Sequence, residues 1–224
     1  AIMRGFVYLG TKNNKNKGKG ALKAAQDALR SIDKEIVNLS EILSDLVLMT
    51  SGRQEIVELV PVDIAEIAYR SADKLKNFAE QKGIVVKKKS TLKKVEVLGY
   101  SKYLERLFLN LIRNAITYGG TKIQIDTETK KNSVAISITD DGIGIRKDDL
   151  PHIFERFFRA DPSRQNEDGH SGLGLAISQW IAEIHKGKIS VKSAPGNGST
   201  FTVTLPLAPT KIGAPTRVGT IKTD

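Results

Sequence analysis

Asn110 and Asn114, in the stretch NLIRNAITYGG, stand four residues apart beside an apolar helical pattern. Asparagine is a poor helix-interior residue because its side chain competes for backbone hydrogen bonds, so the pair has either a structural partner or a ligand. Leu104, Leu107, Phe108, Leu111, Ile112 and Ala115 form the apolar stripe. At about 100° per residue, Asn110, Asn114 and Thr117 fall together on one flank of it. A half-buried ligand site belongs at such an edge. Amide oxygens are hard donors suited to Mg2+, which keeps several waters and shares its shell with phosphates. The bland alternative is that both amides bridge to neighbouring backbone.

Two glycine-bearing segments follow. In TDDGIGI, Asp140 and Asp141 end a strand, and Gly142 and Gly144 let the backbone turn sharply and approach a flat ligand. A plain strand-ending turn has the same composition. In GHSGLGLA, Gly169, Gly172 and Gly174 precede a helix, where free amides make a phosphate-binding nest. No Gly-Lys-Ser/Thr follows, so this is not a Walker A loop, and the turn does not follow a strand as a dinucleotide fingerprint would. Between the two lies FERFFRADPSRQNEDGHS, polar with an aromatic cluster, the composition of a lid.

The elements that must position these residues fall into three regions, drawn at residues 1–54, 55–207 and 208–224. From Leu22 the apolar positions Ala25, Leu29, Ile32, Ile36, Leu39, Leu43 and Leu46 alternate by three and four, a bundle or coiled-coil seam. Ile2, Phe6 and Leu9 repeat the spacing ahead of the loop TKNNKNKGKG. Residues 1–51 therefore read as a helical hairpin with arms of roughly 16 and 45 Å at 1.5 Å per residue. The first arm looks cut, and the seam over residues 36–46 lacks a partner within the chain. From VELVPVDIAEI onward the pattern is α+β. A helix is expected over 61–82, opening with Pro61, then strands at IVVKKK and KKVEVLG, and the asparagine helix from Ser101 to about Tyr118. The strands TKIQIDTETK and SVAISITDDG join through residues 131–132, a helix runs from about Gly172 to His185, and GKISVKSAPG and STFTVTLPL close the pattern through PGNG. The Pro-, Thr- and Gly-rich end predicts a flexible tail.

Composition narrows the class. The chain has 224 residues, 40% hydrophobic and 27% charged, with no cysteine. No apolar run nears the roughly 18 residues of a membrane span, and the start AIMRGFVYLG lacks the basic leader and cleavage site of a secretory signal. Cytoplasmic residence is expected. The net charge of +10 comes from dispersed lysines, so nucleic-acid binding is not expected.

The ordered segments NLIRNA, DDGIGI, FERFFR and GLGLA closely resemble the N, G1, F and G2 boxes of sensor histidine kinases, and the resemblance covers roughly residues 40–207. It implies a two-layer α/β sandwich of the gyrase, heat-shock chaperone and histidine kinase type, binding ATP with Mg2+. By it, Asn114 coordinates the metal, with Asn110 beside metal and phosphates. Asp140 accepts a hydrogen bond from the adenine amino group, and Gly142 and Gly144 line the base. Tyr118 lies near the nucleotide, Arg159 faces the phosphates, and Gly172 and Gly174 shape the phosphate side. It further implies pairing with a second kinase chain through the helical bundle, a response regulator as partner, and membrane attachment only through upstream regions.

Two positions depart from the family. Thr117 stands where a lysine is usual, and His170 replaces a small residue in the glycine turn. Gyrase-like ATPases carry a glutamate general base four residues before the metal asparagine; here that position is Asn110, which cannot take a proton. Phosphoryl transfer is therefore favoured over hydrolysis, with a non-catalytic nucleotide-binding scaffold as the remaining alternative. The family's acceptor histidine sits on the first arm of the hairpin. His152, His170 and His185 lie elsewhere and read as non-acceptors, with His185 capping its helix C-terminus, where positive charge is favoured. The chain is thus expected not to phosphorylate itself.

Overall fold

The computed structural model of the protein describes residues 25–29, 32, 36, 43, 59–90, 94–160 and 172–209. The chain divides into two units, Ala1–Leu48 and Met49–Asp224. In the first, the described residues are helical, and the seam positions Leu29, Ile32, Ile36 and Leu43 are exposed. Ala25 is exposed as well, while the expected first arm, the seam positions Leu22, Leu39 and Leu46, and the tail from residue 210 lie outside the described residues.

The second unit runs β1 (Val60–Asp63), α1 (Ile64–Lys74), α2 (Lys76–Gln81), β2 (Val85–Ser90), β3 (Glu96–Gly99), α3 (Ser101–Tyr118), β4 (Lys122–Lys130), β5 (Ser133–Asp140), α4 (Gly174–Ile184), β6 (Lys188–Ser193) and β7 (Ser199–Pro206). Five strands form one sheet in the order β2-β4-β5-β7-β6, and β1 and β3 form a small antiparallel pair. Only β2 and β4 run parallel; the other ladders of the large sheet are antiparallel.

Alternation along the central strands, broken in β5 only by the buried Ala135, makes the sheet two-faced. Ile123, Ile125 and Thr127 of β4, Val134, Ile136, Ile138 and Asp140 of β5, and Ser199, Phe201, Val203 and Leu205 of β7 are buried. The register sets these residues side by side across the sheet. Helix α3 lies over β5 and packs between α1 and α4, while α4 also covers β6 and β7. The stripe expected for α3 is the core: Leu104, Leu107, Phe108, Leu111 and Ile112 are each 0% exposed. At about 25 cal/mol per Å2, burial of such side chains is the main term holding the two layers together.

The helix expected over 61–82 is corrected in two places. Pro61 lies in β1, opposite Leu98, where a two-stranded ribbon tolerates its missing N–H. The helix instead starts after Asp63, whose carboxylate accepts from the N–H groups of Ala65 and Glu66 at 3.0 and 3.2 Å. That N-cap is a stronger start signal than proline. The helix then breaks at Leu75 into α1 and α2, and Gly83 at φ 71 ends the second piece. The other expected strands and helices appear with ends within three residues of those expected.

Candidate functional site

Helix α3 carries Asn110, Asn114, Thr117 and Tyr118, all half-buried on the flank of a fully buried stripe. The Asn110 Nδ2 donates to Gly174 O at 3.2 Å. That bond occupies the nitrogen end of the amide, and the oxygen is the end suited to a metal or a donor. Gly174 O also accepts from Ser178 Oγ at 2.8 Å. Among the described residues Asn114 makes no side-chain hydrogen bond. Its alternative role as a backbone bridge has no partner among the described residues.

Period-two alternation separates the two aspartates. Asp140 ends β5 on the core-facing row, between Ile123 and Ser199, and is 7% exposed. Burial pushes its pKa up; N–H bonds from Gly142 and Ser199 oppose that, and the neighbouring Asp141 charge adds to it. The Gly142 N–H reaches Asp140 Oδ1 at 2.9 Å. Asp141 points the other way. Its carboxylate accepts from Lys122 N–H at 2.8 Å, Thr121 N–H at 2.9 Å and Thr121 Oγ1 at 3.0 Å, and the backbone donor of Lys122 leads in holding its pKa down. So Asp141 staples the start of β4, a role the sequence did not signal.

The loop after β5 is sewn into its surroundings. Ile143 N–H donates to Tyr118 O at 3.2 Å, Gly196 N–H to Ile143 O at 2.8 Å and Gly198 N–H to Gly142 O at 3.0 Å. A side chain at Gly142 would collide with Tyr118 O, and one at Gly144, which has φ 69, would collide with Ala194 O. The absence of side chains here serves packing of the loop against the end of α3 and the β6–β7 turn, which brings Asp140 and Tyr118 to the same end of the sheet. On the turn before α4, Gly172 has φ 73, and the N-cap Leu173 supplies no side-chain cap to α4. Its first-turn amides therefore get no cap from that residue.

Residues 99–209 match the family described as histidine kinase-, DNA gyrase B-, and HSP90-like ATPase. The chain is 35% identical over 175 residues to the sensor-like histidine kinase SenX3 of Mycolicibacterium smegmatis, a match covering 76% of this chain and 45% of SenX3. The mycobacterial sensor histidine kinase MprB superposes with a TM-score of 0.57 at 28% identity, covering 67% of this chain and 99% of that one. These residues form a histidine-kinase-type ATP-binding domain. The fold is shared by full-length ShkA in complex with AMPPNP, at a TM-score of 0.69 and 22% identity over 92% of this chain and 43% of ShkA. The chain spans under half the length of SenX3.

In this kinase-type domain Phe157 and Gly172 are joined backbone to backbone. Phe157, at φ 64, donates its N–H to Gly172 O at 3.0 Å, and a side chain at Gly172 would come within 2.8 Å of Phe157 backbone. Arg159 is half-buried two residues beyond Phe157, while Gly169 and His170 fall outside the described residues. Among the described residues no group of three or more His, Cys, Asp or Glu could hold a metal. The amide oxygens of Asn110 and Asn114 are hard donors of the kind that suits a cation sharing its shell with phosphates and water.

His185 is found at the end of α4, as expected, but the expected charge is corrected. The ring is 2% exposed, and burial pushes its pKa down. A neutral imidazole with both nitrogens engaged caps the helix, not a cation. His152 pairs Nδ1 with Glu155 Oε1 at 2.7 Å. A recess of about 240 Å3 lined by residues including Asn132, Ser133, Lys186 and Leu205 lies at the opposite end of β5 from Asp140. Among the described residues no helix is long and apolar enough to cross a membrane.

Proposed function

We propose that the chain supplies the nucleotide-binding catalytic region of a sensor histidine kinase, transferring the γ-phosphoryl group of Mg-ATP to a histidine on a helical bundle. The observation carrying the transfer reading is Asn110. A gyrase-like hydrolase needs a carboxylate there to take the water's proton, and an amide whose nitrogen is engaged by Gly174 O cannot serve as that base. Bound Mg-ATP supplies the electrophilic phosphorus and the metal's charge. Asn114 would hold the metal through its amide oxygen, with Asn110 beside it. Asp140 would accept from the adenine amino group, with the Gly142–Gly144 backbone and Tyr118 alongside. The first-turn amides after Gly172, at Gly174 and beyond, and Arg159 of the lid would face the phosphates.

The family match to ATPases and the AMPPNP held by ShkA support the nucleotide. The exposed seam at Leu29, Ile32, Ile36 and Leu43 supports pairing with a second kinase chain into a four-helix bundle, because an apolar helix stripe that long asks for a partner. A response regulator would then take the phosphoryl group from the bundle, in the cytoplasm. None of the chain's own histidines is proposed as acceptor. The buried His185, with both nitrogens engaged, cannot present one to a phosphoryl group.

Incubation with γ-labelled ATP, Mg2+ and an added histidine-bearing bundle tests this. The expected result is acid-labile label on the bundle histidine and none on this chain. Steady release of free phosphate without labelled bundle would favour the hydrolase. Label mapped to His152, His170 or His185 would overturn the assignment of the acceptor.

A further inference from the structure

Helix α3 has no side-chain N-cap of its own: Tyr100 is the N-cap residue and makes no such bond. In a capping box the N-cap N–H is taken by a carboxylate or amide three residues on, and here that residue is Tyr103. The acceptor comes instead from another helix. His185 Nε2 accepts the Tyr100 N–H at 2.9 Å, while its Nδ1 lies 2.7 Å from Ile181 O. A carbonyl can only accept, so Nδ1 carries the proton and Nε2 is the bare nitrogen, which is the tautomer Tyr100 requires. The two partners fix ring orientation and tautomer together.

The surroundings are shaped to this ring. Burial, pushing its pKa down, favours the same neutral form. Gly99 stands beside it, and a side chain there would lie 3.3 Å from His185 Cδ2 and 2.5 Å from Leu104 Cδ1.

The start of α3 thus meets the end of α4, while the middle of α3 meets the start of α4 through the bond from Asn110 to Gly174 O. At 1.5 Å per residue, Tyr100 to Asn110 spans about 15 Å and Gly174 to His185 about 16 Å, so the two contacts match as the ends of one ruler.

We infer that His185 is a positioning residue, setting the register of α4 against α3 and through it the pose of the Asn110 amide beside the metal and phosphates. The last clause rests on the Mg-nucleotide reading above. Loss of the acceptor leaves a part-buried N–H unsatisfied, and the helix pair relieves it by sliding or tilting, which moves Gly174 O from under Asn110.

Three substitutions separate this from mere packing. In His185→Gln the amide oxygen sits at the distance from Cβ of Nε2 and can still take the Tyr100 N–H. In His185→Asn the amide reaches only as far as Nδ1, keeping the local cap on Ile181 O and losing the bond between helices. His185→Leu keeps volume and loses both. The nucleotide-free protein is read first, by the NMR resonances of the Asn110 side-chain amide and the Gly174 N–H, and Mg-ATP affinity second. The Asn and Leu variants should shift those resonances and weaken Mg-ATP by about three- to tenfold, the equilibrium change carried by one net hydrogen bond. The Gln variant should restore both. Folded Asn and Leu variants with unshifted Asn110 resonances, or a Gln variant no better than Asn, would overturn the inference. Should the variants fail to fold, wild-type protein decides: a two-bond 15N coupling from Tyr100 to His185 Nε2 supports the clamp, and its absence refutes it. Absence of ATP binding by wild type would sink the nucleotide reading while leaving the resonance arm to judge the register.

Discussion

A side chain placed at Gly142 or Gly144 would run into the backbone carbonyl of Tyr118 or Ala194, whereas one placed at Gly174 would reach Asn110 Cγ at 3.6 Å, an ordinary contact. The base side of the proposed pocket is thus closed by backbone packed on backbone, with Asp140 held on the core row of the sheet. The proposed phosphate side has an amide on α3, a helix start whose N-cap residue supplies no side-chain cap, and the backbone contact between Phe157 and Gly172. Glycine-rich segments of similar composition therefore do different work: the first is packed against backbone at both glycines, whereas the second is so packed at Gly172 and leaves room at Gly174.

Substitutions in the two glycine segments should break or sharpen that contrast, the largest effect first. Gly144→Ala forces an alanine to φ 69 against Ala194 O, and should cost about 3–5 kcal/mol. A melting point lowered by roughly 10 °C is expected, with Gly142→Ala close behind. Wild-type melting in either would mean the loop is not rigid.

Asp140→Asn should weaken adenine binding by about 1.5–3 kcal/mol, the range for a hydrogen bond to a charged group. It should do so without harming the fold. Burial raises the Asp140 pKa, so its ionised form is disfavoured in the folded state. That cost is full above the folded pKa and vanishes below the unfolded one. The Asn variant should accordingly melt at or above wild type at neutral pH, with the gap closing in acid. Equal calorimetric affinity for ATP in both proteins would remove Asp140 from the adenine contact.

On the phosphate side, Thr117→Lys adds a charge-assisted donor and should gain about 1–2 kcal/mol for ATP and little for adenosine. Equal gains for both would show that residue 117 does not face the phosphates. Gly174→Ala should be the mildest in stability. Alanine is the better helix former by up to about 1 kcal/mol, so melting should hold or rise while a methyl group beside Asn110 lowers Mg-ATP affinity a few-fold. A fall of many degrees would mean that the α4 start is as tightly packed as the loop after β5.

Most of the fold was legible because period and punctuation agree: the stripe of α3, the alternation of β4, β5 and β7, and the PGNG turn all read directly. Where signals competed, the reading failed. Pro61 and Asp63 both mark a helix start, and only the carboxylate's bonds to Ala65 and Glu66 decide between them. For the site, the alternation that buries Asp140 was readable, but Asp141's bonds to Thr121 and Lys122 depend on a strand neighbour twenty residues away. The glycines announced close approach without saying to what. His185 showed its helix end in the sequence, and concealed that a second helix closes over it and takes its charge away.

The most direct test is titration calorimetry of ATP with Mg2+ and with a chelator, on wild type and Asn114→Ala. Wild type should bind ATP more tightly with Mg2+, and Asn114→Ala should lose that gain while keeping its chelator-state affinity. A magnesium-dependent gain that survives in Asn114→Ala, or its absence in wild type, would contradict the assignment of the asparagine helix to a metal-nucleotide site.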